Sequence, residues 1–284
     1  MQLALGTVQF GIAYGIAGRG ETVPEAEVRA ILEHAAAEGV TTLDTAAAYG
    51  DIESRLARLA EGLPLQFVSK VPAIDDTLAP AEAAAFALDC ARRSRARLGP
   101  ALRGLMTHRA QDLQGARGEA VWRLLAPWAR DEGIALGASC YAPAEAEALA
   151  RQPGVALCQV PGNAFDQRVD HPALAGVDVH LRSAFLQGLL LMDRARAAER
   201  LPGAAEALAL WHAWAAARDL SPLEAALSVV KSFGTVSTVV VGVDNLAQWR
   251  EIAAAWRVSR PLPAPELAVD RSGVIDPRLW SLEI

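Results

Sequence analysis

The amino-acid sequence predicts an α/β chain folded as a single (β/α)8 barrel. Short apolar, strand-like runs alternate with longer stretches rich in Ala, Leu and Glu, the pattern of parallel strands joined by crossover helices. No linker, low-complexity tract or internal repeat breaks the alternation. An open doubly wound sheet is the competing arrangement. Its G-x-G-x-x-G turn between strand and helix is missing, and the glycines of Gly15–Gly20 have the wrong spacing.

In chain order, the strand-like runs are Leu3–Gly6, Thr41–Asp44, Leu65–Lys70, Leu102–His108, Ala135–Ser139, Ala156–Val160, Val177–Ser183 and Ser237–Gly242. Helical patterns lie between and after them at Pro24–Glu38, Ile52–Glu61, Pro80–Leu98, Gly118–Asp131, Pro143–Arg151, Gly203–Arg218, Pro222–Ser232 and Leu246–Ala255. Every strand but the sixth is thus followed by a clear helix. Local chemistry supports several boundaries. Gly39 follows a helix end, where a left-handed backbone costs glycine little. Ser221-Pro222-Leu223-Glu224 sets a serine cap before a proline, with glutamate closing a capping box. Asp244-Asn245 offers capping oxygens to the last helix. A tail from about Arg260 to Ile284 is expected to wrap the outside or cross a barrel mouth, leaving 1–284 as one domain.

Composition narrows the function classes. With 284 residues, 52% of them hydrophobic and 21% charged, the chain has ample material for a core. A net charge of -6 leaves no basic footprint for nucleic acid. Cys90, Cys140 and Cys158 form neither a metal-ligand spacing nor an even disulfide set, and read as small buried hydrophobes in a reducing compartment. The segment Met1–Gly6 lacks the basic start and apolar core of a signal peptide. No apolar run approaches the roughly 20 residues that cross a bilayer. The expectation is a cytoplasmic protein with neither membrane nor nucleic-acid partner.

In such barrels, catalytic groups stand at the C-terminal ends of strands. Asp44 ends the second strand and Tyr49 follows it, Lys70 ends the third, and His108 ends the fourth. Singly, each has an ordinary structural role as cap, packing ring or solvated charge. Jointly, they bring carboxylate, phenol, ammonium and imidazole to one rim. A phenol beside an ammonium ionises more easily, so Tyr49 polarised by Lys70, itself held by Asp44, suits proton donation to a developing alkoxide. His108 would orient the carbonyl oxygen through a hydrogen bond.

These segments resemble the aldo-keto reductase superfamily: Leu5-Gly6-Thr7, Leu43-Asp44-Thr45-Ala46-Ala47-Ala48-Tyr49-Gly50, Val68-Ser69-Lys70 and Met106-Thr107-His108 match its Asp-Tyr-Lys-His tetrad in order and spacing. The resemblance implies a hydride transfer between a nicotinamide cofactor and a small carbonyl or alcohol substrate, with the dinucleotide extended across the barrel mouth. It implies cofactor contacts by Gly6 and Thr7, and by Ser139 and Gln159 to the nicotinamide carboxamide. Along the ring and pyrophosphate it implies Arg182, Ser183, Leu186, Gln187 and Gly188, and at the adenosine end Gly242, Val243, Gln248 and Glu251. Cys140 stands where many relatives carry an asparagine, and Arg182 where many carry a stacking aromatic, a role that a planar guanidinium can also fill. The lysine and arginine that many relatives aim at the 2′-phosphate are Gly242 and Gln248 here, and Asp244 is placed to repel a phosphate or to accept from a ribose hydroxyl. Family habit gives NADPH, with NADH as the alternative.

Phe10, Tyr14, Arg109 and Trp280, with Arg19, are the expected substrate walls. The Arg182–Leu191 stretch, Val160-Pro161-Gly162-Asn163 with Asp166 and Arg168, and Asp276–Trp280 resemble a bacterial branch often associated with sugar metabolism. Two other functions compete: a catalytically silent nicotinamide-binding sensor or partner subunit on the same barrel, and a non-redox lyase or isomerase binding phosphorylated substrate near Gly242.

Overall fold

A computed structural model describes residues 1–12 and 22–280 of the chain. Its strands are β1 Gln2–Gly6, β2 Thr42–Asp44, β3 Gln66–Val71, β4 Leu102–Thr107, β5 Ala135–Ser139, β6 Leu157–Pro161, β7 Asp178–Arg182 and β8 Thr238–Gly242. They close in sequence order into one parallel barrel, β8 pairing with β1 through Gly6↔Gly242. The longer helices are α1 Glu25–Ala37, α2 Ile52–Leu59, α3 Pro80–Leu98, α4 Gly115–Asp131, α5 Pro143–Ala150, α6 Arg194–Arg200, α7 Ala205–Ala216, α8 Pro222–Lys231 and α9 Leu246–Val258. The fold is therefore the (β/α)8 barrel that the alternation predicts.

The main apolar core lies between the strands and this outer ring. Ile31, Leu32, Leu56, Leu125, Trp211 and Trp249 present one face of their helices to it and are fully buried. A second, smaller cluster of Val68, Met106 and Leu157 fills the barrel interior. Because strand side chains alternate with a period of two, Lys70 and Gln159, each two residues beyond Val68 or Leu157, point into the same interior above this apolar floor.

Most element boundaries shift by one to three residues from the sequence reading, and one helix and one strand end bear on the site. α6 was not expected, because Arg194–Arg200 has no apolar stripe and buries only Ala197. β6 continues to Pro161, so Gln159 stands two residues before its end. The β6–β7 connection contains a 3-10 turn at Pro172–Leu174 where other connections carry a helix, as the pattern implied.

The caps follow the predicted chemistry. Ser221 Oγ accepts from Glu224 N while Glu224 accepts from Ser221 N, and Asn245 Oδ1 accepts from Gln248 N. Gly39 takes φ +85° just past α1. Cys90, Cys140 and Cys158 are buried and unbridged. No described helix is long and apolar enough to cross a membrane.

Candidate active site

Asp44 is the last residue of β2, Lys70 lies near the end of β3, and His108 follows β4, so three neighbouring strands deliver them to one end of the barrel. Lys70 is 2% exposed, and its Nζ donates to Asp44 Oδ1 at 2.7 Å and to Thr45 O at 2.9 Å. The other carboxylate oxygen, Asp44 Oδ2, accepts from Gln159 Nε2 at 2.7 Å. A charge this deep survives only when paired and hydrogen-bonded. Burial pushes the Lys70 ammonium below the ordinary lysine range, and the Asp44 carboxylate opposes that shift.

Tyr49, in the loop after β2, sets its ring edge-to-face with His108, the centroids 6.0 Å apart and the planes at 85°. The His108 pKa is lowered to about 4, first by burial and then by the Lys70 charge. At neutral pH the imidazole is therefore uncharged, a hydrogen-bonding group rather than an acid.

A cleft of about 400 Å³ opens beside Asp44 and Tyr49; neither Lys70 nor His108 is among its described lining residues. Asp44, Tyr49 and Gln159 line one end. Its wall continues through Arg182–Gly188, and its far end is made by Gln9, Gly242, Asp244, Gln248 and Glu251. The wall is unusual backbone. Ser183, Leu186 and Gln187 have φ of 63°, 48° and 54°, and Gly188 has 90°. Left-handed geometry costs a residue with a Cβ about 1 kcal/mol or more, so this segment must be held from outside. Asn163 Nδ2 donates to Ser183 O at 3.3 Å, and the buried Trp211 indole donates to Leu190 O at 2.9 Å. Strain of this kind collects where a backbone is shaped for a ligand.

Arg182 lines the cleft but turns towards β5. Its guanidinium carbon lies 4.1 Å from the Tyr141 ring centroid, and Nη2 donates to Cys140 O at 3.1 Å. Gly6, Thr7, Ser183, Gln187 and Gly188 also line the cleft, with Thr7 Oγ1 bonded to Asp44 O at 3.0 Å. Ser139 is buried at the end of β5, in register with Gln159.

Other expected contacts lie elsewhere. Leu186 and Val243 are buried in the main apolar core, since their side chains turn away from the cleft that their neighbours line. Phe10 is 0% and Trp280 8% exposed, both in that core, so these rings are packing rather than cleft walls. Arg109 is engaged by Asp112 Oδ1 at 2.7 Å, Asp76 Oδ1 at 3.1 Å and Ile74 O at 2.6 Å, an ion-pair network away from the cleft. Tyr14 and Arg19 lie outside the described residues. Sequence reasoning missed Gln9, whose side chain packs on Gly242 and whose Oε1 is buried without a hydrogen-bond partner. Its position three residues past β1, on the strand-end rim, was the available signal. Among the described residues, no group of three or more His, Cys, Asp or Glu could hold a metal ion.

The aldo/keto reductase family model matches residues 2–99, the stretch that carries Asp44, Tyr49 and Lys70. Over those residues the chain is similar to the aldo/keto reductase family. Solved aldo-keto reductases extend the likeness in fold over nearly the whole chain. The holo form of one from Bacillus halodurans superposes with a TM-score of 0.72 at 18% identity, covering 93% of this chain and 89% of its own. A Pseudomonas aeruginosa protein assigned to the aldo-keto reductases gives 0.66 at 22% identity, covering 89% and 88%, and a second structure from that organism gives 0.64 at 22%, covering 90% and 89%. The comparison with curated proteins gave no match.

Proposed function

We propose that the chain is a nicotinamide-dependent oxidoreductase that reduces an aldehyde or ketone to an alcohol, with Tyr49 as the proton donor. The observation that carries this reading is the buried Lys70–Asp44 pair whose carboxylate lines the same cleft as Tyr49, with His108 edge-to-face against the Tyr49 ring. A bound nicotinamide supplies a hydride to the carbonyl carbon. The charge that then develops on the carbonyl oxygen needs a proton, and the Tyr49 phenol gives one up. Lys70 stabilises the phenolate left behind, because in a site of low dielectric an ammonium favours a neighbouring anion strongly. Asp44 holds Lys70 in place and opposes the loss of its charge on burial. Neutral His108 offers a ring N–H to the carbonyl oxygen without competing for the proton.

The cleft residues fit a dinucleotide. Gln159 gives its amide N–H to Asp44, which leaves its amide oxygen to accept from a carboxamide, with Ser139 beside it. The strained Ser183–Gly188 wall brings backbone close to whatever lies along it. The reading is tested by Tyr49→Phe. Reduction of a panel of small aldehydes is expected to fall by at least about 100-fold, the usual weight of general acid catalysis. The dissociation constant for the dinucleotide should hold. Unchanged turnover would remove Tyr49 from the chemistry, and a wild-type protein that binds dinucleotide but turns over none of the panel would favour a silent sensor on this barrel.

A further inference from the structure

We infer that Arg182 makes the cleft hold the reduced nicotinamide, whose ring is uncharged, in preference to the oxidised one, whose ring is a cation, so that the protein loads with the hydride donor and sheds the spent form; this rests on the nicotinamide reading above. The two redox forms share their adenosine and pyrophosphate. Whatever separates their affinities therefore acts at the ring.

Position is the first observation. Arg182 is the last residue of β7, in register with Pro161, and His180 two residues before it is in register with Gln159. Side chains two apart on a strand share a face, so Arg182 points to the barrel interior on the same side as Gln159. It lines the cleft with Asp44, Tyr49 and Gln159, the groups at the reacting end, and is the one cation among the described lining residues. Its charge is felt there: burial is the first cause that lowers the pKa values of Lys70 and His108, and Arg182 lowers both further.

The second observation is what holds the guanidinium. Among the described residues, its hydrogen bond goes to Cys140 O at 3.1 Å, and its carbon lies 4.1 Å from the Tyr141 ring centroid. A carbonyl and an aromatic face orient a cation without being carboxylates. The acids around it are engaged by other donors. Asp44 accepts from Lys70 and Gln159, and Glu145 accepts from Tyr141 N at 2.7 Å and from Gln111. Asp276 accepts from Arg278 Nε at 2.8 Å; that bond is the first cause holding its carboxyl below the usual range, and the Arg182 charge is the last. Asp276 thus weakens the field of Arg182, yet as half of a pair with Arg278 it does not cancel it. Asp244 and Glu251 line the far end, against the part that both redox forms share.

The consequence is electrostatic. An oxidised ring at the reacting end meets a like charge in a cleft where the dielectric is lower than in water, and the reduced ring does not. A guanidinium stays charged at any working pH, so the bias is permanent.

Titration calorimetry of the full chain with NADH, NAD+, NADPH and NADP+ tests this. In whichever pair binds, the reduced form should bind at least about tenfold more tightly than the oxidised form. Arg182→Gln should close most of that gap by tightening the oxidised form, whereas Arg182→Lys, which keeps the charge, should preserve it. A residue that only shapes the wall would weaken both forms alike, so equal losses in Arg182→Gln overturn the inference. Thermal melting checks that the variants fold. If Arg182→Gln does not, the wild-type ratio at low and high salt decides in its place: screening should narrow it, and a ratio indifferent to salt overturns the inference. Oxidised and reduced forms bound equally by the wild type, or the oxidised form bound more tightly, overturn it while leaving the nicotinamide reading intact. Binding of no dinucleotide overturns both.

Discussion

Gln159 and Lys70 share one carboxylate. Each Asp44 oxygen has its own donor, so the ammonium is held by a partner that is itself held. Removing the cation while leaving the anion should be costly: Lys70→Met is expected to lower unfolding free energy by about 3–5 kcal/mol, as for other broken buried pairs, as well as abolishing reduction. Chemical denaturation measures the first effect and an aldehyde assay the second. An unfolding midpoint within error of wild type would mean that the pair is not buried as described. The strand-end residues of this group were legible in the sequence because barrel topology fixes where strand ends meet. Phe10, Arg109 and Trp280 were misread for a physical reason. A loop aromatic or arginine has the same sequence signature whether it walls a cleft or fills a core, and only packing separates the two. Gln9 was illegible because its role depends on space left by a glycine more than 230 residues later in the chain.

At the level of elements, chemistry local to a boundary was read well. The capping box at α8 is present in full. Ser221→Ala should cost about 1 kcal/mol, visible as a lower urea midpoint with unchanged slope. The same reasoning failed for α6, where four of the seven residues are charged and only Ala197 is buried, so no apolar stripe announces the helix. Strand packing makes a sharper prediction. Gly137 on β5 faces β6 so closely that an added Cβ would lie 1.6 Å from Leu157 O. Gly137→Ala must push the two strands apart, with a loss on the order of 3 kcal/mol. Because Ser139 and Gln159 lie two residues further along these strands, dinucleotide affinity should fall with it. Full stability in this variant would show that β5 and β6 are spaced more widely than the register implies.

For the molecule as a whole, acid sensitivity follows from His108. In the unfolded chain this histidine takes a proton near its ordinary 6.5, but in the fold only near 4. Between those values the unfolded state binds more protons, so stability is complete above about pH 6.5 and declines as pH falls towards 4. The 2.5-unit gap corresponds to at most about 3.4 kcal/mol. Urea midpoints from pH 7 to 4 should therefore drop less steeply for His108→Gln than for the wild type, and parallel curves would count against the burial described. The eight-fold alternation was legible because it needs only hydrophobic period and length, whereas the shape of the cleft depends on backbone angles at Ser183–Gly188 that no local pattern announces. Closure of the barrel has an effect on biosynthesis. β1 is the first strand made and gains its second neighbour only from β8. During translation the opening strand must therefore wait, half-paired, for residues 238–242 to emerge. Any nascent chain stalled before them lacks both the finished barrel and the adenosine end of the cleft, whatever the state of its first three strands.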